Sequence, residues 1–599
     1  MSDTKDVPSD ERIELSISAR HANALNFEPP EAHVHELNAA EHVQLSWRSW
    51  IVVFISCFAI MAQVFVVTAA GSVIAFIVRD LGDSAISGWI IQGPLLIQSV
   101  LSPIVGRLSD VLDRKYLSSI PPLIAFMGAI VSAKAQSMAV LIGGGILIGV
   151  TLSTISIVQA IPSEVLPLKY RALANGFAYL GGAVGGLVGS LGAGGVTNQN
   201  ASGWRNIFWM QAAFHGATSL GLFLLYHPRR KSDYPHMTLR QYIWACDPIG
   251  STLFIVSATT LLLALNWAAG EYAWSSAHVV APLIVGLVFL ITFCIYGKKL
   301  SEYDKASLDG CVWIEWKGRS DGLVAHAFFS GSPNFALSVF AFAIEGWLFY
   351  SAVNSVTPQI VLHLGFEENS WKISIRQLSY TIVALVASIP ITVYATKYKD
   401  LKSPLLVTFT VFLAVTICYC VITPSMNHAQ IGFNVLSGLG QSGPLTLIVA
   451  LIQFTAPHAF LSTATGLGFS ARAIGGAFGS AVLDAIINGN LGSKYANRIG
   501  NAAVKAGLPS SSVVALLEAL AAGESLSAAG IPGMNATIEA KVTHASEWAY
   551  AKAYRLAWAS IIPFIVLALI AVACLKGVKE LMTEKVEASV EPAHEKEEI

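Results

Sequence analysis

Long apolar runs dominate this chain and leave few folds open to it. Fourteen stretches hold roughly 20 mostly uncharged residues each, the length an α-helix needs to cross a hydrocarbon core about 30 Å thick. They lie near 50–77, 88–105, 117–136, 139–161, 172–196 and 204–226, then 248–269 and 278–298, then 334–356, 373–395, 403–423, 430–454, 463–487 and 556–575. The chain of 599 residues is 54% hydrophobic and only 13% charged, against about 25% charged residues in an average soluble domain. The expected fold is therefore all-α and membrane-integral. A formal net charge of −1 argues against nucleic acid as a partner. The lipid bilayer and a small solute are the partners such a chain needs, and a monomer is expected.

The seven cysteines, Cys57, Cys246, Cys294, Cys311, Cys418, Cys420 and Cys574, show no paired spacing of a disulfide framework or a zinc site. No metal or other cofactor is implied. Residues 1–45 hold scattered charges and histidines without a basic stretch leading into a short apolar core, so no cleavable signal peptide is expected. Both tails read as solvated and disordered.

Lysine and arginine set the orientation, because cytoplasmic loops carry the excess. With the N-terminus inside, the inner loops hold Arg107, Arg114, Lys115, Lys169, Arg171, Arg229, Arg230, Lys231, Lys397, Lys399 and Lys402, among others. The short outer loops offer little beyond Arg79, Arg205 and Lys372. The expected organisation is a cytoplasmic tail over 1–45, a six-helix bundle over 46–228 and a two-helix insert with its loops over 229–300. A cytoplasmic loop over 301–333 follows, then a second six-helix bundle over 334–578, broken by a long outer loop at 489–550, and a cytoplasmic tail over 579–599. Two sequons, at Asn200 and Asn535, fall on the outer side and are candidate glycosylation sites.

The two groups of six carry an internal repeat. Residues 176–190 read GFAYLGGAVGGLVGS and residues 466–480 read GLGFSARAIGGAFGS. An offset of 290 residues brings Gly176, Ala183, Gly185, Gly186, Gly189 and Ser190 onto Gly466, Ala473, Gly475, Gly476, Gly479 and Ser480. This takes the fifth span onto the thirteenth, the fifth of the second six. Parallel six-helix repeats with a midplane site between them are the build of major facilitator transporters. Small residues spaced by four, Gly181, Gly185, Gly186 and Gly189, with Gly475, Gly476 and Gly479 in the repeat, serve close helix packing. The run from Gly181 also resembles the antiporter signature of that superfamily's fifth helix, although Gly186 stands where the signature has proline.

Between the second and third spans the chain reads Gly106-Arg107-Leu108-Ser109-Asp110-Val111-Leu112-Asp113-Arg114-Lys115. This resembles the signature loop of the major facilitator superfamily. The resemblance implies an inner-face latch in which Gly106 allows close approach and Asp110 accepts from Arg114, with Lys115 beside it, and from the amides of a neighbouring helix N-terminus. Asp113 departs from the glycine usual there. The matching loop of the second half, Ala395 to Lys402, keeps only positive charge as a likeness. The start of the fourth span, LIGGGILIGV, lacks the arginine that drug–proton antiporters of the superfamily carry.

Ionisable groups inside spans are costly and are read as functional. Glu345, in FAIEGWLFYSAVN, is the best protonatable carboxylate, with Asp484 its rival for proton coupling. Arg376, near the end of its span, is expected to snorkel. Cavity-lining candidates are Gln63, Gln92, Gln159, Gln211, Tyr350, Asn354 and Arg472, any of which can instead pair between helices.

Further stretches narrow the likeness: Gly203-Trp204-Arg205-Asn206-Ile207-Phe208-Trp209, Asp247-Pro248-Ile249-Gly250, Leu265-Asn266-Trp267, Glu345-Gly346-Trp347-Leu348-Phe349-Tyr350 and Arg472-Ala473-Ile474-Gly475-Gly476. Over about residues 45–580 these resemble the fungal fourteen-helix trichothecene efflux pump family and its sister group, the siderophore–iron transporters. The resemblance implies proton-coupled movement of a bulky natural product across the plasma membrane, with a vacuolar or other internal membrane as the alternative. Export of a secondary metabolite or toxin is one reading. Siderophore–iron import, with Tyr495, Tyr550 or Tyr554 taking part, is the second. A solute-sensing receptor would need a larger tail than the roughly 45 and 20 residues present. A membrane enzyme would need a catalytic constellation at one depth, which the sequence does not offer.

Overall fold

The computed structural model describes residues 47–82, 86, 89–112, 114–197, 202–227, 243, 246–268, 272–307, 323–325, 327–330, 332–367, 370–457, 460–522 and 530–583. Residues 1–46 and 584–599, Asp113, Cys311, Asn200 and most of the loop over 301–333 lie outside the described residues, whereas 579–583, expected to belong to a solvated tail, pack on the protein with Met582 buried. Among those described, fourteen helices are long and apolar enough to span a membrane. They are α1 Ser49–Ala69, α2 Trp89–Val111, α3 Arg114–Ala133, α4 Met138–Val165, α5 Leu168–Thr197, α6 Arg205–Leu225, α7 Pro248–Ala268, α8 Ala277–Gly297, α9 Asn334–His363, α10 Trp371–Tyr398, α11 Lys402–Tyr419, α12 Asn427–Thr455, α13 Leu461–Ala506 and α14 Ala536–Ala573. In a bilayer every backbone group must bond internally, and apolar stretches of about 20 residues do so as helices. The first twelve coincide with the sequence-predicted spans, with ends that differ most at α1, which stops short of 77, and at α2 and α9, which run past 105 and 356.

The last two are much longer than expected, and this corrects the outer loop. The helix of α13 continues to Ala506 across a non-helical backbone at Gly492, and α14 begins at Ala536. A short helix, Val513–Ala522, lies between them. Ile499, Ala503, Leu516, Ile538 and Val542 pack together there as a small core of their own. The alanine-rich composition that reads as a loop has high intrinsic helix propensity, and its scattered apolar residues are spaced to meet once the two extensions stand side by side. Asn535 is exposed and caps α14, its side-chain oxygen accepting from the amide of Ile538 at 2.8 Å.

Each half repeats one packing scheme. α5 packs along α1 as α13 packs along α9, and α3 on α6 as α11 on α14. The glycine runs make the first of these contacts. A Cβ on Gly181 or Gly185 would lie 2.3 Å from the carbonyl oxygen of Cys57 or Met61, and one on Gly475 2.0 Å from that of Ala343. Real side chains cannot stand so close, so the helix backbones touch only because these residues are glycine. Gly186 is different: its nearest neighbours would stand 4.0 Å away, and it is not needed for this approach. The fourth helix of each half is broken at the same place, α4 around Ser153 and α12 around Ser442. The halves meet along two seams related by the repeat, α2 against α13 and α5 against α10. Gly466 lies against Ser102 in the first, and Gly176 against Thr392 in the second. The insert helix α7 packs on α8 and reaches α2 and α13, while α8 is largely exposed.

Candidate transport site and latch

At one end of the molecule, where α2 meets the start of α13, Asp110 is fully enclosed by donors. Its carboxylate accepts from the amide of Ser462 at 3.2 Å, and from the amide and hydroxyl of Thr463 at 2.8 and 2.7 Å. Arg114 adds a bond at 2.8 Å. A carboxylate on the first amides of a helix satisfies donors that have no partner within the helix and complements the helix dipole. Gly106, one turn earlier, makes the approach possible, since a Cβ there would lie 2.4 Å from the carbonyl of Ser462. Arg114 also pairs with Glu164 at the end of α4, a buried carboxylate that the sequence reading passes over because it sits at a span boundary. Lys115 takes another course, with its ammonium 2.8 Å from His227 and over the ring of Phe223.

Midway along the bundle, Glu345 of α9 is completely buried. It is not the lone carboxylate its sequence context suggests. Arg472 of α13 donates to it from Nε at 2.5 Å and from a terminal nitrogen at 2.9 Å, and Gln441 at the break of α12 donates at 2.5 Å. The other end of the Arg472 guanidinium donates to the Tyr350 hydroxyl at 2.8 Å, and the rings of Phe342, Phe349 and Tyr350 lie 5.5, 4.6 and 4.8 Å from it. Gln98 of α2 is buried beside Tyr350, so the cluster borders the first half. Tyr179 of α5 and Tyr380 of α10 are buried within electrostatic reach of the pair. Three of the sequence candidates, Glu345, Tyr350 and Arg472, thus form one cluster where the two halves face each other.

The backbone of α9 prepares this cluster. Between Trp347 and Val356 it winds as a π-helix, a rare geometry that concentrates at functional sites. Asn354 is exposed and donates to the carbonyl of Phe349 at 2.7 Å, and Thr357 bonds the carbonyl of Ala352. Both side chains bond the carbonyl five residues back, the register of the wider winding.

The remaining candidates lie elsewhere. Gln63 of α1 is buried and donates to the Thr151 carbonyl at 2.8 Å and the Thr154 hydroxyl at 3.0 Å. Gln159 bonds Asn175 at 2.7 Å. Gln92 is half-buried on α2. Gln211 faces a small space between α1, α2, α4 and α6 that is lined by Val66, Ile90, Pro94 and Leu141. Asp484 lies half-buried beyond the cluster, near Tyr554. Tyr554 bonds His363 at 2.5 Å, and the His363 ring stacks on Tyr550 at 4.2 Å. Arg376 does not snorkel: it is buried and donates to Gln430 at 2.6 Å, to Glu367 at 3.3 Å and to the side chain of Asn427 at 2.5 Å. The polar residues of α12 that hold it are invisible to a rule based on distance from the span end.

Residues 50–480 match the family described as Major Facilitator Superfamily. The "MFS-type transporter prx5" of Penicillium rubens is 26% identical over 526 residues, covering 87% of this chain and 89% of that protein. The "Efflux pump FUS6" of Gibberella fujikuroi is 24% identical over 478 residues, covering 77% of this chain and 78% of that one. The "Acurin A biosynthesis cluster MFS-type transporter" of Aspergillus aculeatus is 29% identical over 255 residues, 42% of this chain and 44% of that one.

Proposed function

The chain belongs to the Major Facilitator Superfamily, and on that premise we propose that it is a proton-coupled exporter of a fungal secondary metabolite or toxin at the plasma membrane. The observation that carries export is the naming of relatives that align with most of the chain, one of them an efflux pump, with a metabolite-cluster transporter among the shorter matches. The excess of lysine and arginine in the loops at the Asp110 end supports a cytoplasmic position for that end and for both termini. The capped end, with Asn535 exposed and its amide nitrogen outside the cap bond, then faces outward and is open to glycosylation.

Glu345 is the coupling group in this reading. Ionised, it holds Arg472; protonated, it loses most of that attraction and the guanidinium is left to Tyr350 and the surrounding rings. Because α9 and α13 both face the first half, exchange of partners at this pair changes how the halves meet. Gly106, Asp110 and Arg114 act as the latch of the closed cytoplasmic end.

The test is comparative. Cells lacking the gene and their parent are extracted separately from their media, and the compounds are profiled by mass spectrometry. A compound retained in the deletion cells and depleted from their medium is the expected result. Unchanged profiles together with a loss of ferric-siderophore uptake would replace export by import.

A further inference from the structure

A second polar contact between the halves joins α4 and α5 to α12. Its centre is Gln453 of α12, fully buried. The side-chain oxygen of Gln453 accepts from the Ser163 hydroxyl of α4 at 2.8 Å and from the Asn175 amide of α5 at 2.9 Å. Its backbone oxygen accepts from Arg171 at 2.8 Å. Gln159 locks Asn175 from behind. Ser163 and Gln453 are separated by the same 290 residues as the glycine repeat, so each stands at the other's equivalent place and they meet on the axis itself. All three donors belong to the first half and all the acceptors to one residue of the second. The side-chain nitrogen of Gln453, by contrast, is buried with no partner.

We infer that Gln453 is a positioning residue of the transport cycle: an acceptor hub that holds the Asp110 end closed and must be released whenever that end opens. The hub differs from the latch in the helices it joins, tying α4 and α5 to α12 where Asp110 ties α2 to α13, and Arg114 links the two through Glu164, the neighbour of Ser163. It is reinforced from outside the bundle. Beyond α14, the segment with Leu575, Val578 and Met582 is buried against the second half. Lys402 and Lys399 bond its carbonyls at Leu575 and Met582. The carbonyl of Thr583 then accepts from the amide of Lys169 at 2.7 Å, two residues before Arg171. The short connection between α4 and α5 is thus held by Gln453 on its inner side and by this strap on its outer side. Opening the end requires both to let go.

Hydrogen bonding at Gln453 is separable from packing because only one end of its amide is used. Gln453→Glu keeps the accepting oxygens, gives up only the unpartnered nitrogen, and places a carboxylate beside Arg171. Gln453→Leu keeps the volume and removes the side-chain acceptor. The experiment uses the full chain in lipid nanodiscs, with the seven native cysteines replaced and spin labels at exposed Tyr116 and Tyr398 on opposite halves. Inter-label distance distributions report the open fraction at the Asp110 end, and thermal unfolding checks the fold. Gln453→Leu should raise the open fraction several-fold, whereas Gln453→Glu should match the parent or close further. A Ser163→Ala/Asn175→Ala variant, which removes both donors to the Gln453 side chain and leaves Arg171 on its backbone oxygen, should reproduce the opening. An unchanged distribution for Gln453→Leu, or a Gln453→Glu protein as open as Gln453→Leu, overturns the inference. So does failure of both the Gln453→Leu and the donor variants to fold, which would make the residue a packing element.

Discussion

Gln63 and Glu345 occupy equivalent places in the two halves. Gly185 rests on the carbonyl of Met61 and its repeat partner Gly475 on that of Ala343, and two residues further along the first helix of each half stand Gln63 and Glu345. Each reaches to the break of the fourth helix, Gln63 to Thr151 and Glu345 to Gln441, which are themselves related by the repeat. The first half makes this tie with neutral groups. The second makes it with a carboxylate and adds Arg472, at a place where the first half has Gly182. Common backbone contacts with different chemistry teach that the tie itself needs only hydrogen bonds. A buried ion pair is often no more stabilising than a neutral replacement of similar shape, so holding the helices together does not by itself call for the charge in the second half.

The largest effect expected is from splitting the pair. Arg472→Leu leaves Glu345 without its counter-ion and should cost about 3–5 kcal/mol, seen as a fall in thermal unfolding temperature or as loss of folded protein. The double variant Glu345→Gln/Arg472→Leu gives the second half the neutral chemistry of the first. It should recover most of that stability while export against a gradient stays absent. A double variant no more stable than Arg472→Leu alone would mean that the two halves are not comparable in this way.

The two loops after the second helix of each half give the next contrast. Asp110 reaches across to α13, whereas Asp400, an acid at the repeat position that corrects the reading of this loop as keeping only positive charge, accepts from the amides of Lys402 and Ser403 at the start of α11 at 3.0 and 3.2 Å. Charge-assisted hydrogen bonds contribute roughly 1.5–3 kcal/mol each. Asp110→Asn should therefore lower turnover about tenfold or more, measured as efflux per molecule at the membrane. Asp400→Asn should cost about 1 kcal/mol of stability, as a lost helix cap does, and leave turnover near wild type. Equal turnover in both would reduce the Asp110 loop to a topogenic signal.

In the first half, Gln63→Leu should cost roughly 1–2 kcal/mol through the bonds lost to α4, with export and its response to uncouplers retained. Loss of coupling in this variant would place proton chemistry in both halves. The smallest contrast is between two glycines of the repeat. A Cβ on Gly476 would lie 2.6 Å from the Tyr350 ring, but one on Gly186 meets nothing nearer than 4.0 Å. Gly186→Ala should gain up to about 1 kcal/mol from helix propensity, and Gly476→Ala should lose stability and disturb Tyr350. Thermal unfolding of the two variants side by side decides it.

Much of the fold is legible in the sequence because the bilayer leaves a chain so few choices: apolar length marks the spans, and the glycine repeat marks the two halves. The sequence also marks Asp110, since a carboxylate between bases in a loop has no topogenic use. It does not mark pairings between distant spans. Glu345 and Arg472 are each visible as charges out of place, yet nothing local says that they face each other, and the break in α12 that brings up Gln441 has no strong sequence signal. Glu164 and Arg376 were obscured for a related reason: near a span end, burial cannot be told from exposure by position alone. The extensions of α13 and α14 are not legible in the sequence because alanine-rich, weakly apolar residues satisfy the signature of a loop and of a short helical hairpin equally well.

The role of Glu345 in coupling is tested most directly by efflux of the compound that deletion cells retain. Cells expressing wild type or Glu345→Gln at matched membrane levels are loaded with it and followed with and without a protonophore. Wild type should export against the gradient and collapse on uncoupling. Glu345→Gln should show no uphill export but keep downhill exchange at a rate the protonophore does not change. Uphill, protonophore-sensitive export by Glu345→Gln would contradict the account and move the search to Asp484.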